Sequence, residues 1–234
     1  MRPRSTPAAS ALARIPRKAR PCGPEAGCER PARRGGAALF AASVTLLAAS
    51  LAPAGLAFGS GASATEASCA RAATAAAHVA SFARVPPAQR RSTKRAFVRA
   101  ALCAINAVRA KYGLRPLRLD PRLTRAAEQH ARDMVRRGYF SHTAPGGRSF
   151  LARIVKSGYL RRARAWTVGE NIAWGLSAAA RPSTTVEMWM NSPPHRANLL
   201  SPVFEEAGIG LAAGVPGQPG APGLTYTVDF GRRR

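Results

Sequence analysis

The sequence predicts an α+β domain, and three observations carry that prediction. Apolar residues recur at helical spacing over residues 94–112 and 121–137, each run closed by a glycine, Gly113 and Gly138. Two later segments, 207–212 and 224–230, alternate as strands do, and a Gly/Pro-rich stretch, 214–223, joins them as a hairpin with a long tip. Helices and adjacent antiparallel strands in one chain imply a layered domain with helices packed on a sheet.

The elements follow in order. In the first helix Phe97, Ala101, Ile105, Val108 and Tyr112 form the apolar stripe. The second opens at Asp120-Pro121, a capping side chain followed by a first-turn proline, and its stripe is Leu123, Ala127, His130 and Met134. His130 therefore faces inward, as a hydrogen-bonded packing histidine rather than a ligand. A short third helix is expected over 149–156, ending at Gly158, and a fourth over 183–190, broken by Pro193-Pro194.

Ahead of this domain, nine Lys/Arg residues precede an uncharged stretch from Gly35 to Thr65, and Ala62-Ser63-Ala64 supplies a small-residue cleavage pattern. Residues 1–64 read as an export signal cleaved after Ala64, residues 65–94 as an Ala/Arg-rich extension, and 95–234 as the domain. An uncleaved membrane anchor is the competing reading; Pro53, Gly55 and the cleavage pattern stand against it. An extracellular or envelope-associated, monomeric protein is expected. The 170 residues that remain suffice for one core burying about 70% of the unfolded surface.

Of four cysteines, Cys22 and Cys28 leave with the signal. An exported chain left with two is read as carrying a Cys69–Cys103 disulfide, the alternative being that Cys103 is a buried apolar residue on its helix. Formal charge is +25; without residues 1–64 it is +18, from 27 basic and 9 acidic residues. Such a surface attracts polyanions, a cell-wall polymer or anionic lipid among them. No motif or aromatic-basic interleaving points to specific nucleic-acid binding.

Three polar islands in apolar surroundings have the composition of a cleft: Tyr139-Phe140-Ser141-His142, Gly169-Glu170-Asn171-Ile172-Ala173-Trp174, and Trp189-Met190-Asn191-Ser192-Pro193-Pro194-His195-Arg196-Ala197-Asn198. His142 lies in a loop past a helix end, with Gly146-Gly147 behind it. Glu170 opens an apolar segment and so is partly buried, where a carboxylate needs a partner or it takes up a proton. His195 follows two prolines that stiffen its backbone. Two imidazoles around one carboxylate satisfy all three groups, and a His2Glu set also has the ligand count of a catalytic zinc site with one open position. There is no HExxH, and ligands this far apart in sequence are not distinguishable from hydrogen-bonded structural residues. Asn171 and Asn198 are expected to brace the cleft through the backbone, Arg196 to pair with Glu205 or Glu206, and Trp189 with Ser192 to line the cleft. A hydrolase built on Ser141 has little support, because Ser141 and His142 are adjacent and no nucleophile elbow is present.

In that order the islands, with Ile105-Asn106-Ala107-Val108-Arg109, Gly113-Leu114-Arg115-Pro116-Leu117, Gly208-Ile209-Gly210 and Tyr226-Thr227-Val228-Asp229-Phe230, resemble the CAP superfamily (SCP domains) in its bacterial secreted branch. The resemblance implies a three-layer α-β-α sandwich with a mostly antiparallel sheet. It also implies that His142, Glu170 and His195 match three members of a cavity tetrad of two histidines and two acidic residues. The fourth acidic position falls on Ser192, and Glu187, two residues before Trp189, points elsewhere on the helix. That departure weakens any transfer of tetrad-dependent zinc or other divalent-metal binding, or of proteolysis. Three readings stay open: a non-enzymatic module whose cleft holds a metal, a lipid or other small apolar ligand, or a cell-wall fragment; a metal-assisted peptidase or esterase; and a structural protein with a buried His/Glu knot. No turnover motif is present; hydrolysis is the reaction such a cleft would support.

Overall fold

The structure is a computed structural model and describes Leu12 and Ala13, residues 61–76 and residues 86–234. Most of the expected export signal lies outside the described residues, and helix α1 (Gly61–Ala75) runs through Ala62-Ser63-Ala64. No helix among the described residues is long and apolar enough to cross a membrane.

Helix α2 (Arg90–Lys111) begins four residues before the expected start at residue 94, and α3 (Pro121–Arg137) matches its sequence signals at both ends. Asp120 caps α3 by accepting from the backbone N–H groups of Arg122 (2.7 Å) and Leu123 (3.0 Å). Gly138 stops it in the left-handed conformation at φ 68°. Ser149 caps α4 (Phe150–Lys156), and α5 is Pro182–Met190. Pro193-Pro194, expected to break a helix and to stiffen the backbone before His195, do more than that. They break α5 and then occupy the first turn of a further helix, α6 (Pro193–Leu199), where proline lacks only an N–H that has no partner anyway.

The sheet has the order β1-β3-β5-β4-β2. Its body is β3 (Trp166–Leu176), β5 (Gly223–Arg233) and β4 (Glu206–Ala213), all antiparallel. The two-residue strand β2 (Arg118–Leu119) adds parallel to β4, and β1 (Leu12–Ala13) adds antiparallel to β3. The hairpin β4–β5 falls where alternation placed it. Strand β3, which carries Glu170, was legible only as an apolar segment.

One face of the sheet, with Ala207, Ile209, Leu211, Leu224, Tyr226, Val228 and Phe230, packs on Phe97, Ala101 and Ile105 of α2 and on Trp189 of α5. The other carries α3 and α4 and a smaller cluster of Leu123, Ala126, Phe150, Ile154, Tyr159 and Val168. The result is the α-β-α sandwich with a mostly antiparallel sheet. Two polar residues outside the islands pin its loops. Asn106 clamps the backbone of Leu117 from both sides, at 3.0 and 2.8 Å, and buried Arg109 donates to the carbonyls of Leu199 (2.7 Å) and Ser201 (3.0 Å). Cys69 and Cys103 form the expected disulfide, tying α1 to α2. Closing a loop of that length stabilises the fold by about 3 to 4 kcal/mol in the chain-entropy account.

Candidate functional site

Residues 168, 170 and 172 of β3 point toward α3 and α4, since side chains alternate along a strand and Val168 packs in that layer. Glu170 is thus driven into the interior, completely buried. A carboxylate there requires charge and hydrogen bonds, and three elements supply them. Arg153 of α4 donates from Nη2 to Glu170 Oε2 at 2.6 Å, His142 Nδ1 lies 2.8 Å from Oε1, and Nε2 of His130 on α3 lies 4.0 Å from the same oxygen. Burial alone would raise the Glu170 pKa; the His142 hydrogen bond and the Arg153 charge outweigh it and hold the group below the usual carboxylate range.

Arg153 does a second job. Its Nη1 donates to the carbonyls of His142 (3.0 Å) and Arg148 (3.3 Å), so one guanidinium fixes both Glu170 and the loop that carries His142. With Nδ1 on Glu170 and the loop pinned behind it, the ring of His142 has a set orientation while part of the side chain stays exposed.

The expectation for His130 as a hydrogen-bonded packing residue holds: buried, it donates from Nε2 to the Ser141 carbonyl at 3.0 Å. Burial pushes its pKa down to about 4, so it is neutral at neutral pH. It also forms one wall of the Glu170 cluster, which periodicity gave no reason to expect.

His195 lies on α6, with Nδ1 2.9 Å from Ser192 Oγ. Asn171 donates to the His195 carbonyl at 3.0 Å, and Asn198 donates to Asn171 Oδ1 (2.9 Å) and to the Glu170 carbonyl (3.3 Å). These amides stitch α6 to β3 and are the braces the sequence indicated. The His195 pKa is lowered, by burial first and then by the positive charge His142 would carry, so the two imidazoles feel one another. Trp189 and Asn171 are buried. Both therefore support the site from the core: Asn171 braces it as expected, and Trp189, expected to line the cleft, instead packs inward and donates to the Ile172 carbonyl at 3.2 Å. Ser192 is partly exposed. Arg196 bonds the Tyr112 hydroxyl at 3.0 Å and lies over its ring, while Glu205 pairs with Arg115 and Arg232, which corrects the expected Arg196–Glu205/Glu206 pair.

Two residues were missed. Arg153 is one, although a lone cation between Leu151 and Ile154 on a short capped helix was a sign that a buried anion lay opposite. The other is Asp229, the register partner of Glu170 on β5, also completely buried. Neither of its carboxyl oxygens has a hydrogen-bond partner among the described residues. Burial, then the charge of Glu170, pushes its pKa well above the carboxylate range. Two carboxyls side by side with one guanidinium cannot both ionise: Glu170 carries the charge and Asp229 the proton.

A zinc ion needs three or four protein ligands. Both Glu170 oxygens are committed to Arg153 and His142, and among the described residues no three His, Cys, Asp or Glu side chains gather as a metal would require. His142 and His195 alone do not make a resident metal centre. His195 pairs its Nδ1 with the Ser192 hydroxyl, and His142 stands partly exposed in front of the charge-paired Glu170 carboxylate.

The cysteine-rich secretory protein (CAP) family profile matches residues 102–228, more than half of the chain and every residue of this site except Asp229. The chain belongs to the CAP family. Two Bacillus subtilis (strain 168) proteins are similar to it: the uncharacterized protein YkwD is 38% identical over 105 residues, 45% of this chain and 38% of that protein. The uncharacterized membrane protein YlbC is 33% identical over 106 residues, 45% of this chain and 29% of that protein. The chain thus spans well under half the length of these relatives. Among solved structures, an extracellular SCP-domain protein from Bacillus anthracis str. Ames has a TM-score of 0.44 at 25% identity, covering 58% of this chain and 42% of that one. An outer surface protein from Borrelia burgdorferi has a TM-score of 0.47 at 23% identity, covering 57% of this chain and 90% of that one.

Proposed function

We propose that this CAP domain is an exported binding module that holds a fragment of cell-wall glycan at His142 and His195 without turning it over. The observation that carries the reading is the saturation of Glu170. Glu170 itself is unavailable as a base or a metal ligand, because the buried carboxylate is already paired with a guanidinium and with His142, and among the described residues no three His, Cys, Asp or Glu side chains gather to hold a metal for assisted hydrolysis. What remains available is hydrogen bonding from two neutral or singly charged imidazole edges and the Ser192 hydroxyl, which suits sugar hydroxyl and amide groups. Exposed aromatic rings suit sugar faces, and two stand beside the site in sequence: Phe140, two residues before His142, and Trp174, on the same side of β3 as Glu170.

One observation favours the second reading, hydrolysis. A carboxylate bonded to Nδ1 of a histidine orients the ring as a general base would be oriented. A single experiment separates the two. Soluble peptidoglycan fragments are titrated calorimetrically into wild type, His142→Ala, His195→Ala and Trp174→Ala, and each mixture is then analysed by mass spectrometry. Binding weakened about tenfold or more (~1.4 kcal/mol) in each variant, with the fragments intact, is expected. Equal affinity across the set rejects the cleft; fragments cleaved by wild type and spared by His142→Ala replace the module with an enzyme.

A further inference from the structure

A second surface lies behind the Glu170 cluster. It is a hollow bounded by the start of α2, the outer face of α3, the loop before α4, α4 itself and the end of β4. Lys94, Arg132, Arg136, Arg148 and Lys156 line it, and Arg153 and His130 reach it from the cluster. Its acid count is low. Glu128 is shared by Lys94 (2.6 Å) and Arg132 (3.4 Å), and Asp133 by Arg136 (3.0 Å) and Arg137 (3.5 Å), so each carboxylate answers two cations. Arg148 and Lys156 are exposed and make no ion pair among the described residues. The excess positive charge is therefore local to this hollow as well as a property of the whole chain, and a concave basic wall concentrates its field.

The geometry points to a site for a linear, phosphate-rich polymer in this hollow, distinct from the His142/His195 cleft and independent of what the cleft binds. Charge complementarity selects a polyanion. The lining narrows the class: its described apolar members are Val135, Ala144, Leu211, Ala212 and Ala213, with no aromatic residue among them. Single-stranded nucleic acid is held by base stacking on aromatic rings, which this lining lacks, and a planar bilayer meets only the rim of a concave wall along which a single chain can lie. A polymer that offers only repeating phosphates asks for cations alone, and guanidinium groups match phosphate oxygens in pairs.

The test uses the full chain and linear inorganic polyphosphate as the probe, read by fluorescence anisotropy over a range of salt concentrations. Two triple variants change the net charge equally: Arg132→Glu/Arg148→Glu/Lys156→Glu in the hollow, and Arg161→Glu/Arg162→Glu/Arg164→Glu on the exposed turn after α4. The first should bind at least about tenfold more weakly, with a salt slope shallower by roughly two to three, one for each lost phosphate contact. The second should change affinity by less than about twofold, since none of its three side chains lines the hollow. Equal losses in both overturn the site and leave only diffuse attraction. Tighter binding to phosphatidylglycerol vesicles or oligothymidylate, lost in the same triple, overturns the polymer in favour of a bilayer or a nucleic acid. Thermal unfolding checks each variant; if the hollow triple is misfolded, Arg148→Gln and Lys156→Gln carry the test singly, each expected to weaken binding and each overturning the site if neutral.

Discussion

The two faces of the central sheet are built on different principles. Toward α2 and α5, β4 and β5 present Ile209, Leu211, Tyr226, Val228 and Phe230, and stabilisation there is apolar area removed from water, at about 25 cal/mol per Å2. Toward α3 the same strands present Gly208, Gly210, Thr227 and Asp229, beside Glu170 of β3, all but the glycines polar and buried. The apolar face tolerates an imperfect fit at a graded cost. The polar face holds only if a helix approaches closely and every charge finds its partner, and that is the face that carries the Glu170–His142 pair. The candidate site thus sits where the sheet gives up ordinary packing in exchange for fixed geometry.

The sharpest way to break this contrast is to add one methyl group. A Cβ at Gly210 would run into the backbone of Ala127 and Glu128, and one at Gly208 into the backbone of Leu123 and Thr124, so α3 would have to lift off the sheet. Backbone does not yield as a side chain does, and Gly210→Ala is expected to cost more than about 3 kcal/mol, at or beyond the upper end for overpacked cores. Circular dichroism should show no cooperative thermal transition near that of the wild type. Ile209→Ala, one residue away on the apolar face, should cost about 2 to 5 kcal/mol and still melt cooperatively. A Gly210→Ala protein that melts with the wild type would show that α3 does not depend on bare backbone at this position.

Arg153→Met tests the charges. Removing the guanidinium leaves Glu170 buried without its main counter-charge, which costs about 3 to 5 kcal/mol for a pair of this kind. Adding Glu170→Gln should return most of that loss, because the stranded charge is the source of the penalty. Urea midpoints at unchanged m-values would measure both. If the double variant is no more stable than Arg153→Met, the guanidinium acts through its bonds to the His142 and Arg148 carbonyls and not through Glu170.

The apolar face was legible because it obeys a period. Alternation marked β4 and β5 and the 3.6-residue stripe marked α2 and α3, since a residue that must be buried repeats with the geometry of its element. Caps were legible for the same local reason, as Asp120 and Gly138 show. His142 and Glu170 stood out as polar islands, and their contact is real. The partners that make Glu170 tolerable were not legible. Arg153 and Asp229 are set by the packing of α4 and the β3–β5 register, and no spacing in the chain encodes which strand residue lies opposite which. His130 was read from its helix stripe as a packing residue, and it packs; its place beside Glu170 follows from where α3 lands, which Gly208 and Gly210 decide. Likewise Pro193-Pro194 was read as a stop because the end of one helix and the start of the next use the same residue.

Asp229→Asn is the mildest change and probes the polar face through pH. The folded-state pKa of Asp229 is raised, so the folded chain keeps a proton that the unfolded chain releases near pH 4. Wild type therefore loses stability as pH rises from that value toward the folded pKa, and asparagine, which cannot ionise, does not. The other two groups act in the opposite direction. Glu170 has a lowered folded pKa, so the stability it contributes is present above its unfolded value and lost as pH falls. His130 is lowered from 6.5 to about 4, so the fold also weakens as pH falls through that interval. Urea midpoints followed from acid to mildly alkaline pH should show the two proteins sharing the acid limb, while the variant becomes progressively more stable than wild type above about pH 4. Parallel curves over the whole range would mean that Asp229 is ionised in the folded protein. Arg153 would then have to serve two carboxylates, and a single charge on Glu170 with the proton on Asp229 would no longer describe the site.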